Sequence, residues 1–166
     1  MAVNFEKYFE YYKSQSTSQD IETTLVESHN AMVSLISKLD EEKLMFRYEE
    51  GKWSIKDLIQ HVIDVERVFV YRAVRFTRND KTDLQGFNED EFALNANADR
   101  KTKDELLKEY VSVHRATIVF YSQLTIDDLA KTGTANNIEF SVFGIAHIIA
   151  GHIQHHLKVI HKRYLN

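Results

Sequence analysis

No proline interrupts this chain of 166 residues, and glycine occurs only five times. Proline removes a helical hydrogen bond and clashes with the preceding turn, and glycine costs about 1 kcal/mol in a helix interior. A chain that avoids both can sustain long helices. A β-sandwich or barrel of this length would need many tight turns and the residues that make them. The expected fold class is therefore all-α.

Hydrophobic periodicity divides the chain into four long helical stretches. The first covers about residues 20–39, with Leu25, Met32, Leu35, Ile36 and Leu39 along one stripe. The second opens at Ser54, which with Asp57 forms a capping-box pattern, and continues through Leu58, Val62, Val65 and Phe69 to about Phe76. The third, about residues 102–124, opens on the same pattern at Thr102 and Glu105. The fourth covers residues 140–164. Shorter amphipathic helices are predicted over residues 4–12 and 89–97, and the N-terminal aromatics Tyr8, Phe9, Tyr11 and Tyr12 suggest docking onto the bundle or a second subunit. Turn residues mark connections at 40–42, 50–52 and 132–137, whereas the connection from about Arg78 to Arg100 is long. One long crossover between shorter links describes a four-helix bundle that departs from strict up-down-up-down order. Without repeats, low-complexity segments or an interdomain linker, residues 1–166 read as one domain.

Several function classes drop out. The net charge of −4, with acids and bases interspersed, lacks the basic footprint of a nucleic-acid binder. No apolar run approaches the ~20 residues of a membrane span, and the N-terminus has charged and aromatic residues where a signal peptide has an apolar stretch. A cytoplasmic location and a small-molecule substrate are the expectations. There is no cysteine, so disulfides and thiolate nucleophiles are excluded, and any metal must be held by histidine and carboxylate.

The chemistry concentrates in Gly151-His152-Ile153-Gln154-His155-His156-Leu157. A helix advances 100° per residue, so His152 and His156 lie one turn apart on one face, a spacing that lets two imidazoles reach one ion. With His152 at zero on a helical wheel, Ile148, Val159, Ile145, His156, Ile149, Ile160 and Ile153 fall between about −40° and 100°. Both histidines lie inside this apolar arc. His155, at about −60°, sits on its border, and His147 and His161 point outside it. A catalytic zinc-type site has three protein ligands and one open position. The best third candidate is His61, with Val68, Val65, Leu58, Phe69 and Val62 spread from about −20° to 100° around it. The alternative is that these inward histidines are hydrogen-bonded core residues. His29 and His114 read as structural or surface positions.

Two segments make the chain resemble a known family. Lys52-Trp53-Ser54-Ile55-Lys56-Asp57-Leu58-Ile59-Gln60-His61, followed by Asp64 and Glu66-Arg67, together with Ala150-Gly151-His152-Ile153-Gln154-His155-His156-Leu157, is similar to the DinB-like (YfiT-like) superfamily of metal-dependent enzymes. The resemblance implies a four-helix bundle, commonly a homodimer. It also implies a divalent metal, typically zinc or nickel, on one histidine of the second long helix and two of the fourth: His61, His152 and His156, the set the wheel selects. His155 matches a neighbouring histidine that is usually not a ligand. Characterised relatives include thiol S-transferases using bacillithiol or mycothiol and a thiol-dependent isomerase, so the resemblance implies a metal that activates either a water or a low-molecular-weight thiol. The readings are therefore a metal-dependent transferase, a metal-dependent hydrolase, a metal-binding or stress-response module without turnover, and a purely structural bundle.

Six further charges invite expectations. Asp57 and Asp64 flank His61 at about −40° and −60° and read as solvated rather than as partners of the metal site. Glu66 and Arg72 fall on the buried side of their helix, so both are expected to pair across the bundle. Arg75 and Arg78 read mainly as solvated, with an anionic substrate the lesser reading for all three arginines.

Overall fold

A computed structural model describes residues 5–16, 18 and 20–165, the side chains of residues 5, 6 and 8 excepted. Helix α1 spans Phe5–Ser14, α2 Ile21–Lys38, α3 Glu41–Met45, α4 Ile55–Thr77, α5 Glu89–Ala96, α6 Lys103–Ser122, α7 Ile126–Ala130 and α8 Val142–Tyr164. A two-stranded hairpin, β1 Thr132–Ala135 and β2 Ile138–Ser141, precedes α8. The predicted helix start at Asn4 and the Tyr8 side chain lie outside the described residues.

The long helices begin where their capping chemistry places them. Ser54 and Asp57 close a reciprocal capping box on α4, and Thr102 and Glu105 close another on α6. Asp20 accepts from the Thr23 amide at the start of α2. These caps satisfy amides that a helix N-terminus otherwise leaves without partners. Around the bundle, α2 packs on α8, α8 on α4, α4 on α6 and α6 back on α2. Helices α2 and α4 thus sit diagonally, as do α6 and α8, and the crossover carrying α5 joins the neighbours α4 and α6. The protein is an all-α four-helix bundle with a long crossover and short extra helices. Met32, Ile36, Ile59, Ile63, Leu106, Tyr110 and Ile145 fill its centre, all essentially inaccessible.

Three local features depart from the sequence reading. Phe140 belongs to β2, and α8 begins two residues later with the Ser141 hydroxyl accepting from the Gly144 amide at 2.9 Å. The 132–141 segment pairs as a hairpin because Asn136 and Asn137 adopt φ of 54° and 60°, the left-handed pair that a two-residue type I′ turn requires. His147, expected to point outward, is buried, with its Nδ1 2.8 Å from the Ser16 hydroxyl. The wheel assumed one packed face, but α8 packs against α1, α2 and α4 together.

Candidate metal centre

His61 sits in the second turn of α4, whose entry is held by the Ser54–Asp57 box and by Arg47 donating to Asp57 at 2.6 Å. His152 and His156 project from α8 one turn apart. The antiparallel packing of α4 on α8 brings the three rings together, with Nε2 of His61 3.1 Å and Nε2 of His156 3.0 Å from Nε2 of His152. Their exposures are 5%, 4% and 8%.

Hydrogen bonding cannot account for this arrangement. A ring nitrogen carries either one proton or one lone pair, so His152 Nε2 can complete a hydrogen bond with only one of its two neighbours. The other contact competes for the same proton or lone pair in a buried site. Among the described residues, His156 Nδ1 finds no hydrogen-bond partner either, although it is buried. A tetrahedral ion with bonds of ~2.0–2.1 Å places its nitrogen ligands about 3.3 Å apart, close to the spacing found. Burial pushes all three imidazoles toward the neutral form, His61 down to about 4 and the other two well below the usual range, and the neighbouring histidines add to the effect. Neutral rings offer the lone pairs a metal needs without having to shed a proton. The donor set therefore fits a divalent ion.

His114 shows the opposite chemistry. On α6, its Nδ1 lies 2.9 Å from a Glu66 carboxylate oxygen and its Nε2 2.9 Å from the Leu25 carbonyl. Both nitrogens face acceptors, which only the doubly protonated ring satisfies. Burial opposes that charge, but Glu66 outweighs it and the pKa is raised. Thr117 also donates to Glu66, at 2.5 Å. Glu66 thus pairs across the bundle as expected, whereas Arg72, equally buried, faces no carboxylate among the described residues.

Aromatic rings wall the three histidines. Trp53 lies 4.9 Å from His61 and Tyr12 5.1 Å from His152, centroid to centroid. Helix α1 reaches this position because Gly151 has no side chain: a Cβ there would stand 1.7 Å from the Tyr12 carbonyl oxygen. Phe9 anchors the same helix between Phe69 and Phe140. His155 stays at the rim, its Nδ1 3.2 Å from the Tyr11 hydroxyl. Asp57 serves its capping box and Arg47, and Asp64 accepts from Gln60 and Arg67. Among the described residues, no carboxylate joins the cluster. The N-terminal aromatics suggested docking on the bundle or a second subunit; α1 docks on α8 of its own bundle, and sequence reasoning missed only that this places Tyr12 beside the histidines, at the approach Gly151 permits.

Known proteins are similar to this chain in sequence and fold. The sequence profile of the DinB superfamily matches residues 24–160. A protein of Oceanobacillus iheyensis named for an inferred metal-dependent hydrolase activity is 23% identical over 130 residues, spanning 77% of this chain and 74% of its own. YfiT from Bacillus subtilis, described as a probable metal-dependent hydrolase with an unusual four-helix bundle topology, superposes with a TM-score of 0.72 at 11% identity, over 98% of this chain and 87% of that one.

Proposed function

This chain belongs to the DinB superfamily, and from that premise we propose that it is a metal-dependent hydrolase of a small molecule whose one divalent ion is held by His61, His152 and His156. The observation that carries the reading is the convergence of three buried Nε2 atoms that cannot all complete hydrogen bonds with one another. Three neutral nitrogen ligands suit zinc or nickel. When bound, such an ion supplies Lewis acidity and lowers the pKa of a coordinated water toward ~7. The neutral rings contribute no charge, so its full positive charge remains available to the reaction. Trp53 and Tyr12 shield the rings from bulk solvent, which strengthens every electrostatic interaction inside. Tyr11 holds His155 at the rim of the cluster. The chain has no cysteine, so thiol transfer at the same centre would need an external thiol.

The test combines metal analysis with turnover. The purified protein should hold one zinc or nickel ion per chain and hydrolyse members of a panel of activated esters, amides and phosphoesters. Chelation should abolish that activity, and re-addition of metal should restore it. A protein that takes up no stoichiometric metal overturns the proposal. Consumption of electrophiles only with bacillithiol or another small thiol, without hydrolysis, replaces it with S-transfer.

A further inference from the structure

Arg72 lies eleven residues beyond His61 on α4, about 16 Å along the helix axis. It is 4% exposed. One guanidinium nitrogen donates to the Gln85 carbonyl at 3.2 Å, and the group rests 5.0 Å over the Phe69 ring. Its Nε has no partner, and no carboxylate faces it among the described residues. A buried cation left this way is costly, because desolvation is not offset by an opposite charge.

Arg72 borders a cavity of about 600 Å³, within the range of small-molecule sites. Two more arginines border it, but each is already neutralised. Arg67 donates to Glu109 at 2.8 Å and to Asp64 at 3.1 Å, and Arg75 pairs with Asp80. The Asp83 carboxylate also borders the cavity and accepts from the Asn137 amide at 3.4 Å. Asp83 is exposed and solvated, so among the described residues the buried charge left without a counter-ion beside the cavity is that of Arg72. Val68, Leu84 and Phe87 supply apolar wall. The loop forming that wall is fixed, because the Leu84 amide donates to Thr134 at 3.0 Å and the Asn136 amide donates back to Leu84 at 2.8 Å. Among the described residues, none of the cavity's lining residues belongs to the three-histidine cluster.

We infer that this cavity is a second ligand site, separate from the histidine cluster, which binds a small monocarboxylate by pairing its carboxylate with Arg72 and its apolar body with Val68, Leu84 and Phe87. A planar guanidinium meets a carboxylate through two parallel hydrogen bonds. One buried unpaired cation, with the exposed Asp83 carboxylate on the same cavity, suits a monoanion over a phosphate dianion.

Calorimetric titration of the full chain with sodium benzoate tests the inference, with benzamide and inorganic phosphate as comparison probes. Benzoate should bind saturably and benzamide should not. Arg72→Met should weaken benzoate binding by about tenfold or more. Val68→Trp, which blocks the cavity without disturbing the buried charge, should do the same, so the test survives a poorly folding Arg72 variant. His156→Ala should bind benzoate like the parent, which separates this site from any metal-bound carboxylate. Unchanged binding in Val68→Trp, loss of binding in His156→Ala, or no benzoate binding at all overturns the inference. Phosphate binding without benzoate binding overturns the carboxylate assignment.

Discussion

Replacing His114 with leucine should expose how much of the bundle depends on one buried ion pair. Glu66 and His114 have side-chain exposures of 1% and 0%, and their contact is 2.9 Å. Without the imidazolium, the Glu66 carboxylate would keep only the Thr117 hydroxyl. Removing one member of such a pair costs about 3–5 kcal/mol, because the remaining charge is buried unmatched. In a chain of this size that lowers Tm by about 6–20 °C. The double variant Glu66→Leu/His114→Leu should recover most of the loss, to within about 1–2 kcal/mol of the parent. The structure supports this recovery: Thr117 still donates to Val113, and the Leu25 carbonyl still accepts from Ser28. The assay is urea unfolding followed by circular dichroism, repeated across pH. Because the folded-state pKa of His114 is raised, the pair's contribution is complete below the unfolded value of about 6.5. It fades as pH rises through the folded value. The difference between parent and His114→Leu should therefore shrink toward alkaline pH. A single variant costing under about 1 kcal/mol, or a double variant as damaged as the single, would refute the charged-pair reasoning.

Other predictions concern the centre and the elements around it. His156→Ala and His61→Ala should each lose stoichiometric metal in elemental analysis, while His155→Ala should retain it. Gly151→Ala should push α1 off α8, given the 1.7 Å approach to the Tyr12 carbonyl; faster amide exchange in α1 and a loss of about 1–3 kcal/mol are expected. Asn137→Gly should leave thermal stability unchanged or slightly higher, whereas Asn137→Val, forced to positive φ, should cost about 1 kcal/mol or more in the same melt.

Much of the architecture follows from local signals. Ser54 with Asp57 and Thr102 with Glu105 mark helix starts that the structure confirms as capping boxes. The wheel placed His61, His152 and His156 inward, and the fold brings their rings to one point; the heights that make them meet are set by α4–α8 packing, which periodicity does not encode. The hairpin escaped notice because its strands are four residues each and its Thr-Gly-Thr and Asn-Asn composition reads as turn. Burial of His147 and the aromatic wall depend on α1 returning to cover a second face of α8, a long-range contact whose existence the N-terminal aromatics suggested but whose position only Gly151 marks. Arg72 was expected to find a partner because buried charges need one. What it borders is a cavity, formed when the crossover loop pairs with the hairpin.

X-ray absorption of the zinc-loaded protein bears most directly on the central claim. The account predicts a first shell with three imidazole nitrogens at ~2.0–2.1 Å, reduced by one in His61→Ala. A shell dominated by carboxylate oxygens, or one identical in the parent and His61→Ala, would contradict it.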